Sequence, residues 1–380
     1  MRFKEAHEGW QAGRLTQMEA ARLLGVCDRS FRRYLSRYEE DDLQGLIDRR
    51  LGQVSQRRAP VDEVMKMVGL YRGRYEGWNV RHFYSWYRRE HRGGRSYTWV
   101  KNQLQRAGVV AKAAKGGAHR KRRERAPLAG MLLHQDGSRH QWVPGCWWDL
   151  IVTMDDATGE HYSMFFAEEE GTMSSFRGVG EVIAGHGLFS SLYTDRGSHY
   201  WLTPEAGGKV DKTQLTQFGR AMAQLGIQMI PAYSPEARGR SERAFGTHQE
   251  RLPKELALAA ITDIAAANRY LERRYRRAFN TEFAVTAAEA GSAFVAFIGG
   301  HLEQILCEQF ERTVANDNCV RFEGLTLQIP ADRHRAHYVK AKVRVHRYNP
   351  GTLAIFHGPR CLARYHASGK EIKAKLKAAA

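Results

Sequence analysis

Apolar positions recur at helical spacing over the first hundred residues and at strand spacing after that. Within residues 14–38, Thr16 stands three positions before Glu19, the pattern of a capping box, and Ala20, Ala21, Leu23 and Leu24 follow on one helical face. Gly25 stops that helix. A second opens at Asp28 and sets Phe31, Leu35 and Tyr38 at i, i+4 and i+7 for a core, while Arg29, Arg32, Arg33 and Arg37 project elsewhere. Two short helices around a tight turn, the second basic, describe a helix-turn-helix. An ordinary helical hairpin with a solvated charged face has the same periodicity. After a turn-rich break at 51–60 the theme repeats. Residues 61–75 read as helix, 79–90 carry Val80, Phe83 and Tyr87 inward, and Ser96 caps a third helix packed through Val100 and Leu104. That leaves Lys101, Asn102, Gln105 and Arg106 facing out as a second candidate recognition surface, with Tyr84, Trp86 and Trp99 as packing aromatics.

From Met131 the texture becomes short apolar runs rich in β-branched and aromatic residues. Strands are expected at 131–135, 148–154, 162–167, 188–194 and 227–231. Helices are expected up to about 184, at 214–225, at 238–257 and at 262–278. That order of elements builds a mixed α/β sheet. Beyond Arg312, short alternating strands at 320–322, 325–329, 342–346 and 353–356, punctuated by Gly324, Pro350, Gly351, Gly358 and Pro359, suggest a small β barrel. The expected organisation is multidomain, α then α/β then β. It comprises a helix-turn-helix domain (1–50), a second helix-turn-helix-like domain (60–110), a basic linker (111–128), a catalytic core (129–260), a helical connector (261–311), a β-barrel domain (312–367) and a flexible basic tail (368–380).

Composition sharpens the choice of partner. The 380 residues are 43% hydrophobic, enough for several cores, and carry a net charge of +18. A surface that positive concentrates polyanions and binds phosphates with release of counterions, so double-stranded DNA is the expected partner. The linker ends in Arg120, Lys121, Arg122, Arg123, Glu124, Arg125, a run suited to tracking phosphates or to plain solvation. No run of eighteen apolar residues occurs and the first residues lack the apolar stretch of a signal peptide. A cytoplasmic protein without membrane contact is therefore expected. Five cysteines scattered without a CxxC pair argue against a disulfide framework or a cysteine zinc site, and read as small buried residues.

The candidate chemistry lies in three acidic residues. Asp136 is expected to end the first strand (MLLHQD) and Asp195 the fourth (SLYTD). Glu242 falls in the first turns of the helix after YSPEARG, where Pro235 and Gly239 bend the chain back over the sheet. Carboxylates gathered from three elements repel unless a hard cation neutralises them, and oxygen-only ligation selects magnesium or manganese. Two ions about 3.5 to 4 Å apart would serve the attacking and leaving oxygens of a phosphodiester. Taken singly, strand-end aspartates ordinarily cap turns and a glutamate early in a helix serves its dipole. Asp155 and Asp156 are read as turn residues, with one of them a lesser candidate for an outer ligand. Glu168, Glu169 and Glu170 are read as a solvated loop.

QDGSRHQW around Asp136, YTDRGSHY around Asp195 and PAYSPEARGRSER around Glu242 resemble the three signature blocks of the DDE group, the integrase core shared by retroviral integrases and many insertion-sequence transposases. The resemblance covers nearly the whole chain, flanking domains included. It implies a ribonuclease H-like core in which Asp136, Asp195 and Glu242 are the metal ligands and catalytic residues for DNA cleavage and strand transfer. It also implies binding to the terminal inverted repeats of a mobile element and a homo-oligomer on DNA. Arg238, Arg240 and Arg243 are, by position, candidates for holding phosphates. Two departures stand out. The step from Asp195 to Glu242 is 242 − 195 = 47 positions, longer than usual in the family, with 201–213 looking like an inserted loop; and Arg196 replaces the asparagine of many relatives. A non-catalytic DNA-binding regulator derived from a transposase, and a nuclease of related fold, are the alternatives.

Overall fold

A computed structural model describes residues 2–48, 58–112, 123–205, 208–233, 235–331 and 335–373. The chain falls into two compact units, Met1–Ala113 and Ala114–Ala380.

In the first unit, α1 (Arg2–Gln11), α2 (Gln17–Leu23) and α3 (Asp28–Gly45, broken at Asp41–Asp42) enclose Ala6, Ala20, Ala21, Phe31 and Leu35. The capping box forms in full: the Glu19 N–H donates to Thr16 Oγ1 at 3.3 Å and the Thr16 N–H donates to Glu19 Oε2 at 2.8 Å. Leu23, expected inward, is 52% exposed. It sits about 100° around the helix from the face that Ala20, Ala21 and Leu24 share. The helix α1 was not anticipated; it adds Phe3 and Trp10 to the same core. Further along, α4 (Val61–Arg74), α5 (Val80–Glu90) and α6 (Tyr97–Arg106) bury Met67, Tyr71, Phe83, Tyr87, Val100 and Leu104. Asn79 and Ser96 cap the second and third of these through the N–H groups of His82 and Trp99. Trp86 is buried and carries Arg89 over its ring, so its use is packing.

The second unit is built on a five-stranded sheet of order β3-β2-β1-β4-β5: β1 (Leu132–Val143), β2 (Cys146–Asp155), β3 (His161–Ala167), β4 (Ser191–Thr194) and β5 (Gln228–Pro231). The first three are an antiparallel meander and the last two run parallel to β1, which gives the mixed sheet expected. Side chains alternate between two cores. On one face, Leu133 and Leu192 pack with Phe176, Val179 and Ile183 of α7 (Thr172–His186) and Phe218 and Met222 of α8 (Gln217–Gln224). On the other, Trp142, Leu150, Val152 and Phe166 meet Phe245 and Leu252 of α9 (Pro235–Leu258). They also meet Leu271, Tyr275 and Phe279 of the run formed by α10 (Ile264–Tyr270), a π turn and α11 (Arg276–Phe283).

Helix ends at Phe283, so the segment expected as a helical connector continues as irregular chain. It runs along the sheet margin where β1 and β4 begin, with Ala293 N–H on Ala129 O (2.8 Å) and Leu188 and Val295 exchanging both backbone bonds. Gly187 has φ +99°, and a Cβ there would lie 2.4 Å from Val295 O. Gly187→Ala is therefore expected to lower stability by at least about 2 kcal/mol in urea unfolding, from a disfavoured backbone and a broken bridge. After a short α12 (Leu302–Ile305), β6 (Glu308–Thr313) pairs with β9 (Lys342–Arg347), which continues to β10 (Leu353–His357) and β11 (Arg360–Tyr365). The hairpin β7 (Cys319–Phe322) and β8 (Leu325–Gln328) pairs with itself. Both sheets share one core around Phe322, Leu327, Val345 and Ile355. Among the described residues no closed barrel forms: the four-stranded ladder and the hairpin remain separate sheets. All five cysteines are free. Cys307 and Cys319 are buried, but Cys27 and Cys361 are exposed, contrary to expectation. No described helix is long and apolar enough to cross a membrane.

Candidate active site

Asp136 does not end β1. It lies within a twelve-residue strand, opposite Val152 of β2 and 6% exposed. What ends near it is the partner ladder. β4 pairs with β1 only at Leu132↔Ser191, Leu133↔Leu192 and His134↔Tyr193, and the rings of His134 and Tyr193 meet at 5.2 Å on the face that α9 covers. The pairing ends there: Asp136, two residues further along β1, shares that face, Asp195 follows the last residue of β4, and both lie near enough to Tyr200 for their charges to act on its phenol. Each carboxylate also takes a local backbone donor. Asp136 Oδ1 accepts from the Gly137 N–H at 3.1 Å and Asp195 Oδ1 from the Gly197 N–H at 2.8 Å.

A second group borders this pair, one whose sequence suggests a solvated loop. Gly137 has no Cβ where one would lie 2.2 Å from Glu170 Oε2, so the Glu170 side chain packs on Gly137, on the face of β1 opposite the Asp136 side chain. Tyr200, fully buried, donates toward Glu170 (3.5 Å) and accepts from Ser175 Oγ (3.0 Å), and His199 Nε2 lies 3.6 Å from Glu170. Burial pushes the Tyr200 phenol well above its usual range, and the charges of Glu170, Asp136 and Asp195 push it further. The expected inserted loop is anchored: Trp201 and Val210 are buried, and Trp201 Nε1 donates to Thr194 Oγ1 at 2.9 Å beside Asp195.

Glu242 is exposed, on a flank of α9. One clue locates that flank. Gln249, two turns along on the same stripe, donates to Ser138 Oγ at 2.9 Å, and Ser138 is two residues beyond Asp136 on the same sheet face. Glu242 thus belongs to the side of α9 that looks toward the aspartates. Even so, no three histidine, cysteine or acidic residues among those described are grouped closely enough to hold an ion. The fit to a divalent cation is partial: the aspartate pair suits one, and the third carboxylate stands apart from it.

Asp156, a turn residue by its sequence context, is the most heavily bonded acid of the core. It is fully buried and accepts from His134 Nε2 (2.7 Å), the Ala126 N–H (2.7 Å) and the guanidinium groups of Arg123 and Arg240. Burial pushes its carboxyl up, but the bonds from His134 and Ala126 and the charges of His134 and Arg240 outweigh that and hold it well below the usual carboxylate range. Its neighbour Asp155 does cap the turn, accepting from the Thr158 N–H and hydroxyl.

The candidate DNA-contact residues divide accordingly. Arg29, Arg32, Arg33, Asn102, Arg106 and Arg243 are exposed, and Arg37 and Lys101 half-buried; Arg32 pairs with Asp28 at 3.0 Å. Arg240, only 12% exposed at its side chain, is committed to Asp156, as is the half-exposed Arg123, so neither is the free phosphate ligand expected. Arg120, Lys121, Arg122 and the side chain of Arg238 lie outside the described residues.

Comparison with known proteins adds to this geometry. The family model described as winged helix-turn-helix matches residues 6–63. The chain is similar to the putative transposase y4bF of Sinorhizobium fredii, 27% identical over 349 residues, covering 90% of this chain and 75% of that protein. It is also similar to the transposase for insertion sequence IS1202 of Streptococcus pneumoniae, 29% identical over 222 residues, 58% of this chain and about half (47%) of that one. Among solved structures it aligns with the simian T-cell lymphotropic virus intasome at 14% identity and TM-score 0.34, over 81% of this chain and 99% of that chain. With the HTLV-2 integrase catalytic core domain the values are 17% identity and 0.30, over 39% and 87%. Overlays this loose leave the fold resting on the strand order itself.

Proposed function

We propose that this chain, a sequence relative of insertion-sequence transposases, is itself a DNA transposase that binds the terminal inverted repeats of its element and cuts and joins strands there. The observation that supports the reading is the parallel β1–β4 register, which ends two residues before Asp136 and Asp195 and, continued, would set them side by side on the sheet face that α9 crosses. Two aspartates so placed repel one another, and a divalent ion, magnesium or manganese, relieves that repulsion better than any neutral partner could. Asp136 and Asp195 would hold such ions, up to two, with Glu242 brought in from α9 when DNA is engaged; the ions would supply charge stabilisation for attacking and leaving oxygens. The protein's own task is then positioning. The buried Thr194, Trp201 and Tyr200 keep the Asp195 loop in place.

DNA would be gripped by the first unit through α3 and α6. Arg33 is exposed on α3, so Arg33→Ala is expected to lower the dependence of log affinity on log salt by about 0.9 without changing which sequence is preferred, in titrations of an element-end duplex at several salt concentrations. Assembly of a homo-oligomer on two ends, in the cytoplasm, completes the proposal. The test is a cleavage and strand-transfer assay with labelled element ends in manganese or magnesium. Joined products are expected; cleavage without joining at any end would favour a hydrolytic nuclease. The outlying Glu242 is the one observation that favours a non-catalytic DNA-binding regulator, and tight end binding with no cleavage would decide for it.

A further inference from the structure

The geometry points to Asp156 as the positioning residue that sets the rotation of α9, and through it the approach of Glu242 to the aspartate pair. The inference rests on the reading of Asp136, Asp195 and Glu242 as ligands. Asp156 lies just past β2, and its donors come from three separate places: His134 on β1, Arg240 in the first turns of α9, and Arg123 with the Ala126 N–H at the end of the basic linker. Two of these stand two residues before a proposed ligand, His134 before Asp136 and Arg240 before Glu242. On a strand, residues two apart share a face, so the His134 bond keeps the Asp136 side of β1 turned toward α9.

On a helix, residues two apart differ by about 200°. Arg240 drawn to Asp156 on one flank of α9 therefore turns Glu242 to the opposite flank, where Gln249 reaches Ser138 of β1. Between those flanks, Ser241, Phe245, His248 and Leu252 are buried against the sheet. Arg240 also donates to the Arg123 backbone carbonyl, so the first turns of α9 and the end of the linker are held as one piece. Removing the carboxylate charge leaves two guanidinium groups at a site built for an anion, and their repulsion acts first on the end of α9 that carries Glu242.

Mn2+ binding followed by electron paramagnetic resonance on the full chain bound to an element-end duplex, with circular dichroism as the check on folding, tests this. Asp156→Asn is expected to weaken Mn2+ binding about tenfold, as Glu242→Gln does, and to add nothing in the Glu242→Gln background. Arg240→Lys, which keeps the charge but cannot bridge Asp156 and the Arg123 carbonyl together, is expected to show a smaller loss in the same direction, and it decides the matter if Asp156→Asn does not fold. Mn2+ affinity unchanged in both folded variants, or losses that multiply with that of Glu242→Gln, would overturn the inference while leaving the ligands intact. Affinity unchanged in Asp136→Asn and Glu242→Gln would overturn the reading of the ligands, and this inference with it.

Discussion

Asp195→Asn is expected to abolish strand cleavage and joining, a loss of about 10³-fold or more, while leaving affinity for an element-end duplex unchanged. The substitution keeps the shape of the loop: an asparagine side-chain oxygen can still accept from the Gly197 N–H as Asp195 does now. What disappears is one of the two negative charges that the proposal sets side by side, and with it the demand for a cation between them. Asp136→Asn should match it, because the pair acts as one unit, and the double variant should be no worse than either single. Duplex binding, which the proposal assigns to the first unit, serves as the control. Cleavage by Asp195→Asn at the wild-type rate would remove the pair from the chemistry.

The second large effect is on stability and has nothing to do with the aspartates. His161 and His248 form a fully buried pair, Nε2 to Nε2 at 2.9 Å. The outer nitrogens assign the protons: His161 Nδ1 donates to Gly159 O (3.1 Å) and His248 Nδ1 accepts from the Tyr275 hydroxyl (3.0 Å), so the bond between the rings runs from His248 to His161 and both are neutral. Burial pushes His161 down to about 4, and burial together with the charges of His161 and Arg251 holds His248 well below its usual range. For bases whose folded pKa is depressed, the unfolded chain takes up protons first. The stabilisation is complete above pH about 6.5 and is lost as pH falls toward 4, by up to about 1.4 kcal/mol per unit for each ring. Asp156 behaves oppositely in origin and lower in range: its depressed carboxyl contributes above its unfolded value and loses that only below about pH 4. Urea unfolding at pH 7.5, 6 and 5 should show the decline, with a flatter slope in His248→Gln. A flat wild-type profile over that interval would show that the rings are not neutral in the folded protein.

How far the sequence could be read depended on where the partners of each residue lie. Capping residues act on N–H groups three positions away, so Thr16, Asn79 and Ser96 were legible, as were strands bounded by glycine and buried on both faces, such as β2 and β3. Beyond Asp136, β1 could not be traced, because Gly137, Ser138, Arg139, His140 and Gln141 break the apolar pattern of a strand while its backbone continues pairing with β2. Asp136 and Asp195 were singled out by strand-end logic that is right for β4 and wrong for β1. Asp156 is the turn residue its context suggested, but its burial and bonding were not legible, because two of its partners are 33 residues before it and 84 after it. Glu170 was hidden in a run of three glutamates that resembles a wet loop; the signal for it was the glycine after Asp136, which leaves room for a neighbour.

The unequal lengths of β1 and β4 carry one more consequence. Their ladder stops at His134, two residues short of the aspartates, so pairing sets the approach of the two chains and the loop past β4 then fixes Asp195, through the Gly197 N–H and the Trp201 ring on Thr194. Chain can be accommodated beyond that anchor, as the 47-position interval to Glu242 illustrates, while Trp201 still holds the end of β4. The stretch between that indole and α9 is thus where length can vary without unseating Asp195.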